Sequence, residues 1–242
     1  MARTERSTVT LVVARTDGAG ASRFEVPVPS PHSRVLDLLL HVQRHQDPTL
    51  GFRFSCRVGM CGSCAMLVNG KEAFVCDTSV GSLDSGTVEL APLRALPVQQ
   101  DLKVDMQPFF DAQREAGAAF EPSEADRRDI RSIPPDDARR AAIEAQNGCI
   151  TCGSCHSASA WTRDGRSRVG PAALNRIYML SNDERDRLGA RRLAVAAGDE
   201  GLLHCHAEGD CVSVCPAGVP LKTGLRKLLD MVERGQALDS GK

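Results

Sequence analysis

The sequence predicts an α+β chain in two parts, a small β-sheet crossed by one helix and then a helical half. Three observations carry this expectation: β-rich runs around an Asn-Gly turn, a single apolar stripe of helical period between them, and a change to helix-forming composition after Pro92.

Taken in order, Thr8 to Arg15 (TVTLVVAR) and Arg23 to Val28 are β-rich runs joined through the Gly18 to Gly20 turn region. Val35, Leu38, Leu39 and Val42 then recur at i, i+3, i+4 and i+7, which describes one face of a helix, with Ser33 placed to cap it. Ala65 to Val68 and Lys71 to Val75 flank Asn69-Gly70, the strongest short hairpin signal, and Thr87 to Leu90 is a further strand. Beyond Pro92 a charged, proline-containing stretch from Glu121 to Arg140 reads as solvent-exposed. The domain boundary is expected near Asp101 to Met106, giving a sheet domain over 1–105 and a helical domain over 106–242. Helices are expected at Ala138 to Gln146, Pro171 to Leu180, Asp183 to Ala197 and Pro220 to Glu233. In the last, Leu221, Leu225, Leu228, Leu229 and Val232 form a packing stripe.

Composition narrows the function classes. Hydrophobic residues make up 42% and charged residues 25% of the 242, which excludes disordered, collagenous and coiled-coil chains. A net charge of −1 supplies no global field for nucleic acid, so no nucleic-acid partner is expected. The longest apolar stretch, Val35 to Val42, is broken by Asp37 and His41 and is far short of the roughly 20 residues a spanning helix needs, so the chain is expected to have no transmembrane segment of its own. The opening residues MARTERSTVT lack an apolar core, and a reducing compartment is expected. Ten cysteines in such a compartment point to metal or redox chemistry rather than disulfides.

Cys56, Cys61, Cys64 and Cys76 have the C-x4-C-x2-C spacing with a distant fourth cysteine that marks a plant-type [2Fe–2S] site. Four soft thiolates must converge on two irons while backbone N–H groups point at sulfur, and Gly59 and Gly62 let the backbone come close. Cys149, Cys152 and Cys155 form C-x2-C-x2-C, and Cys215-Pro216 supplies the cysteine that closes a [4Fe–4S] cluster in bacterial ferredoxins. Structural zinc is the competing use of either set. No Ser-His-Asp order, P-loop or dinucleotide fingerprint is present, so no substrate site is expected on this chain.

Read together, SCRVGMCGSCAMLVNG, CITCGSC and HCHAEGDCVSVCPAGVPL resemble the iron–sulfur subunits of the succinate dehydrogenase and fumarate reductase family, over nearly the whole chain. The resemblance implies an N-terminal β-grasp plant-type ferredoxin domain and a C-terminal all-α domain like bacterial ferredoxin, carrying [4Fe–4S] and [3Fe–4S]. It implies a relay between the FAD of a larger catalytic subunit and quinone at one or more membrane anchor subunits, with or without haem. Such a complex serves the respiratory chain and the tricarboxylic acid cycle, and the chain would sit peripherally on the cytoplasmic face of the inner membrane.

The third cluster departs from the family pattern. Cys205 and Cys211 are present, but the family's next cysteine and proline are replaced by Ser159 and Ala160. Three outcomes stay open: a [3Fe–4S] held with Ser159 oxygen, a substitute such as His156, or a collapsed site. By resemblance, His206 and Trp161 lie near the quinone site, against which stand a hydrogen-bonded surface histidine and a packing tryptophan. His32, His41 and His45 read as surface residues, and the pairs Arg139-Arg140 and Arg191-Arg192 as solvated faces. Two other functions compete with the relay to quinone. One is electron transfer within a soluble flavoenzyme for another organic acid or a thiol-coupled fumarate reductase; the other is an iron–sulfur sensor module.

Overall fold

Asn69 and Gly70 both take left-handed backbone, with φ of 49° and 79°, which gives the hairpin turn the twist its flanking strands need. The structure, a computed structural model, describes residues 7–18, 20–30, 32–129, 132–202 and 210–239, the last four by backbone alone. It mixes helix and sheet, an α+β chain. Two compact units divide it: Met1–Met106 with Ile150–Ser157, and Gln107–Cys149 with Ala158–Lys242.

In the first unit, β1 (Thr8–Ala14), β2 (Ala21–Pro27), β3 (Ala65–Val68), β4 (Lys71–Phe74) and β5 (Thr87–Ala91) form one sheet in the order β2-β1-β5-β3-β4. Strands β1 and β5 run parallel with Leu11 opposite Val88, and the other pairings are antiparallel. Alternate residues Val9, Leu11 and Val13 of β1 are buried, as period two requires. Helix α1 (Val35–His45) packs beside β2 and buries Val35, Leu36, Leu38, Leu39, Leu40 and Val42. Each such leucine or valine contributes about 1.5–3 kcal/mol of burial. A small ribbon of β6 (Val98–Gln100) and β7 (Lys103–Val104) turns at Asp101. The Asp101 carboxylate accepts from Gly51 N–H at 2.8 Å and Thr16 N–H at 3.1 Å, which fixes the entry to the cysteine loop.

Ser33 does not cap α1. Its carbonyl accepts from Val80 and its N–H donates to Ser30, so the Asp37 carboxylate holds the helix start instead, accepting from Arg34 N–H at 2.8 Å.

The second unit contains α2 (Gln107–Glu115), α3 (Glu124–Arg128) and α4 (Ala138–Ile143). The short α5 (Ser154–Ala158) begins in the first unit and ends at the first residue of the returning chain. There follow α6 (Ala160–Arg163), α7 (Gly170–Ser181), α8 (Gly189–Ala197), α9 (Asp210–Ser213) and α10 (Leu221–Asp239). Helices α7, α8 and α10 pack on one another. Ala173, Leu174, Ile177 and Tyr178 of α7 meet Leu225, Leu228 and Val232 of α10, so the apolar stripe expected at the C-terminal helix is a core face.

Three expectations are corrected here. The helix expected from Asp183 starts only at Gly189. Asp183 accepts from Arg185 N–H and Asp186 accepts from Leu188 N–H, local bonds that compete with helical ones. The helix expected to Gln146 ends at Ile143 and tightens into a 3₁₀ turn over Glu144–Gly148. Arg192 is not on a solvated face: it is 1% exposed, donates to Gly117 and Ala119 carbonyls, and pairs with buried Asp186.

Candidate metal centre

The loop from Cys56 to Cys64 is curled by left-handed residues at Arg57, Gly59 and Gly62, with φ of 62°, 73° and 72°. That curl turns amides toward sulfur. Gly59 N–H donates to Cys76 Sγ at 3.3 Å, while Met60 and Cys61 N–H donate to Cys56 Sγ at 3.3 and 3.4 Å. Cys56 N–H reaches Cys61 Sγ at 3.5 Å. Cys76 arrives from the residues just beyond β4, and all four cysteines are free thiols. Convergent N–H groups stabilise sulfur that carries negative charge.

The thiols differ in environment. Cys61 is exposed, and the Ser63 hydroxyl 3.4 Å from its sulfur, with the backbone N–H of Cys56, lowers its pKa to about 6. Burial pushes Cys64 up to about 12. A buried thiol of this kind needs a metal's positive charge to exist as thiolate, whereas Cys61 needs little help. The donor chemistry, the sulfur-directed amides and the glycines with positive φ together fit a [2Fe–2S] group on Cys56, Cys61, Cys64 and Cys76.

Cys152 and Cys155 belong to the first unit as well, on Ile150–Ser157. Thr151 and Gly153 take φ of 54° and 84°, and a Cβ on Gly153 would lie 3.1 Å from Met106 Cε. Ser157 is fully buried; its hydroxyl donates to Glu72 Oε1 at 2.7 Å and accepts from Arg94 N–H at 2.8 Å. A Cβ on Gly62 would lie 2.5 Å from Cys152 Cβ, so the two cysteine motifs touch within this unit. No local signal in CGSCHSAS marked Ser157 as an anchor; a buried acceptor on β4 was the missing information. Cys149 and Cys215 belong to the second unit, both half-buried and neither in a disulfide, Cys215 in the turn where its N–H donates to Val212 O.

Of the residues expected at a third cluster, Cys211 lies on α9, half-buried. Cys205 and His206 lie outside the described residues. Ser159 is the N-cap of α6, but its side chain makes no capping hydrogen bond. His156 is buried, and burial lowers its pKa to about 4, which keeps the imidazole neutral. Trp161 is half-buried with the Arg166 guanidinium 5.3 Å over its ring.

A sheet unit carrying such a thiol loop is the setting of an iron–sulfur protein, and the family model of a 2Fe-2S iron-sulfur cluster binding domain matches residues 10–111. The chain is 34% identical to succinate dehydrogenase [ubiquinone] iron-sulfur subunit 1, mitochondrial, of Oryza sativa subsp. japonica, over 81% of this chain and 70% of that protein. It is 31% identical to the fumarate reductase iron-sulfur subunit of Haemophilus influenzae, over 82% and 80%. It is 36% identical to the succinate dehydrogenase iron-sulfur subunit of Paracoccus denitrificans, over 76% and 71%. Among solved structures, a chain of the Mycobacterium smegmatis Sdh1 complex in the apo form superposes with a TM-score of 0.84 at 26% identity, covering 95% of this chain and 97% of that one. The chain belongs to the family of succinate dehydrogenase and fumarate reductase iron–sulfur subunits.

Proposed function

We propose that this chain relays electrons between the FAD of a succinate dehydrogenase or fumarate reductase type catalytic subunit and quinone held by a membrane anchor. The observation that carries the reading is the Cys56–Cys64 loop with its four amides turned onto cysteine sulfur, in a chain of that family. Residues 1–105 are then a β-grasp plant-type ferredoxin domain, and residues 106–242 a bacterial-ferredoxin-like helical domain.

Cys56, Cys61, Cys64 and Cys76 would hold [2Fe–2S]; Cys149, Cys152, Cys155 and Cys215 would hold [4Fe–4S]; Cys205, Cys211 and the Ser159 oxygen would hold [3Fe–4S]. When bound, these groups supply one-electron redox chemistry that no side chain here provides. The chain's own residues fix the ligands, cover the buried thiols Cys64 and Cys76, and direct N–H dipoles at sulfur. Val58 and Met60, 65% and 71% exposed, offer an apolar rim on the first loop. That rim suits docking of the FAD subunit near Cys61 and Cys64, with the anchor, its quinone and any haem toward His206 and Trp161. Among the described residues no helix is long and apolar enough to cross a membrane. The chain would sit peripherally on the cytoplasmic face of the inner membrane. The serine at 159 gives a second reading its basis: electron transfer within a soluble flavoenzyme for another organic acid or a thiol-coupled fumarate reductase.

Purifying the native complex tests this. Copurification of a large FAD protein and an apolar anchor, with succinate oxidation and fumarate reduction coupled to quinone, supports the relay. An FAD protein alone supports the second reading, and neither partner, with one labile cluster, supports a sensor.

A further inference from the structure

We propose that Gly62 is a positioning residue for electron transfer, setting the contact through which the Cys56–Cys76 site communicates with the Cys152 site; the inference rests on the relay reading above. Gly62 follows Cys61 directly in the chain, and a Cβ there would stand 2.5 Å from Cys152 Cβ and 3.0 Å from its Cα. The backbone of Gly62, the residue after the first-site ligand Cys61, therefore meets the side chain of Cys152 at van der Waals contact, with no side chain between.

Gly59 shows that this is more than a demand for left-handed backbone. Its φ of 73° matches the 72° of Gly62, yet a Cβ on Gly59 would find nothing nearer than 3.6 Å, an ordinary contact with Asp77. Glycine at 59 answers to conformation alone, whereas at 62 it answers to conformation and to Cys152. The contact is also enforced from behind. Ser157 ties the Cys152 segment to Glu72 and Arg94, and Gly153 sits against Met106 and Leu93. The Cys152 segment is thus held against the loop.

One electron crosses here, in whichever direction the complex turns over: the donor site is oxidised by one electron, the acceptor site reduced by one, and no bond or proton changes. The electron is supplied by reduced flavin or quinol on a partner subunit. Electronic coupling falls steeply with each added gap, so a methyl group at position 62 that forces Cys152 away weakens it.

The test compares Gly62→Ala with Gly70→Ala in the assembled complex. Iron, acid-labile sulfide and the individual EPR signals report whether both clusters are present. The magnetic broadening between the two reduced centres, and the freeze-quench rate at which the second is reduced after the first, report the contact. Gly62→Ala should lose the broadening and slow the transfer severalfold or more, with Gly70→Ala, which meets the same left-handed backbone with nothing within 4 Å and touches no cysteine, matching wild type in both. Wild-type coupling and rate in Gly62→Ala would overturn the proposal, as would an equal loss in both variants. Should Gly62→Ala fail to assemble, Ser157→Ala, which leaves the loop intact, is read instead: weaker coupling supports the contact and unchanged coupling refutes it. A wild-type complex lacking either cluster signal would instead defeat the relay reading itself.

Discussion

The Ser157 hydroxyl donates to the Glu72 carboxylate at 2.7 Å, joining the segment that carries Cys152 and Cys155 to strand β4 of the sheet. Glu72 is 8% exposed, and its cationic neighbour, Arg94, stands 4.0 Å away. Ser157→Ala removes a hydrogen bond to a buried charge, a loss of about 1.5–3 kcal/mol. Urea unfolding should show that loss, with faster release of iron from the second cysteine set. A midpoint equal to wild type would mean the bond contributes nothing.

Arg192→Met leaves the Asp186 carboxylate, whose side chain is 0% exposed, without its cation. Breaking a buried pair from one side costs about 3–5 kcal/mol. Arg192→Lys should not restore stability, because Gly117, Ala119 and Asp186 are met by separate nitrogens of one planar fork. Thermal unfolding of the two variants checks this, and rescue by lysine would contradict it.

Asp183 is held below the usual carboxylate range by its hydrogen bond from Arg185, whose Nη2 lies 2.7 Å away, with Arg140 adding to the field. A depressed folded-state pKa stabilises at pH values above the unfolded value near 4 and is lost as pH falls through the folded value. Wild type should therefore lose stability relative to Asp183→Asn as pH drops below about 4. Parallel pH profiles for the two proteins would rule the linkage out.

Ser159 occupies the N-cap of α6 and its side chain makes no capping hydrogen bond; the relay proposed above gives its oxygen to iron. A hard oxygen donor favours the oxidised cluster relative to thiolate. Ser159→Cys should raise the midpoint potential of the air-oxidised [3Fe–4S] EPR signal. An unchanged signal and potential would show that Ser159 is not a ligand.

Local chemistry made much of this legible. The Asn69-Gly70 turn, the buried stripe of α1 and the positive φ at Gly59 and Gly62 each depend on a few neighbouring residues, and each stands where sequence placed it. What escaped was set by distant partners. The Arg191-Arg192 pair looks solvated until Asp186 and the Gly117 and Ala119 carbonyls surround the second arginine. The cysteine motif at 150–157 reads as part of the helical half until Glu72 claims Ser157 and Gly62 meets Cys152. The late start of α8 reflects aspartate side chains outcompeting helical bonds, which composition alone does not reveal.

The central claim is that Cys56, Cys61, Cys64 and Cys76 carry the [2Fe–2S] centre of an electron relay, and EPR of the dithionite-reduced complex with and without Cys76 tests it most directly. Wild type should give a slowly relaxing spin-one-half signal, with iron and acid-labile sulfide to match, and Cys76→Ala should lose that signal while keeping those of the other centres. The same signal in Cys76→Ala, or zinc without sulfide in wild type, would contradict the account.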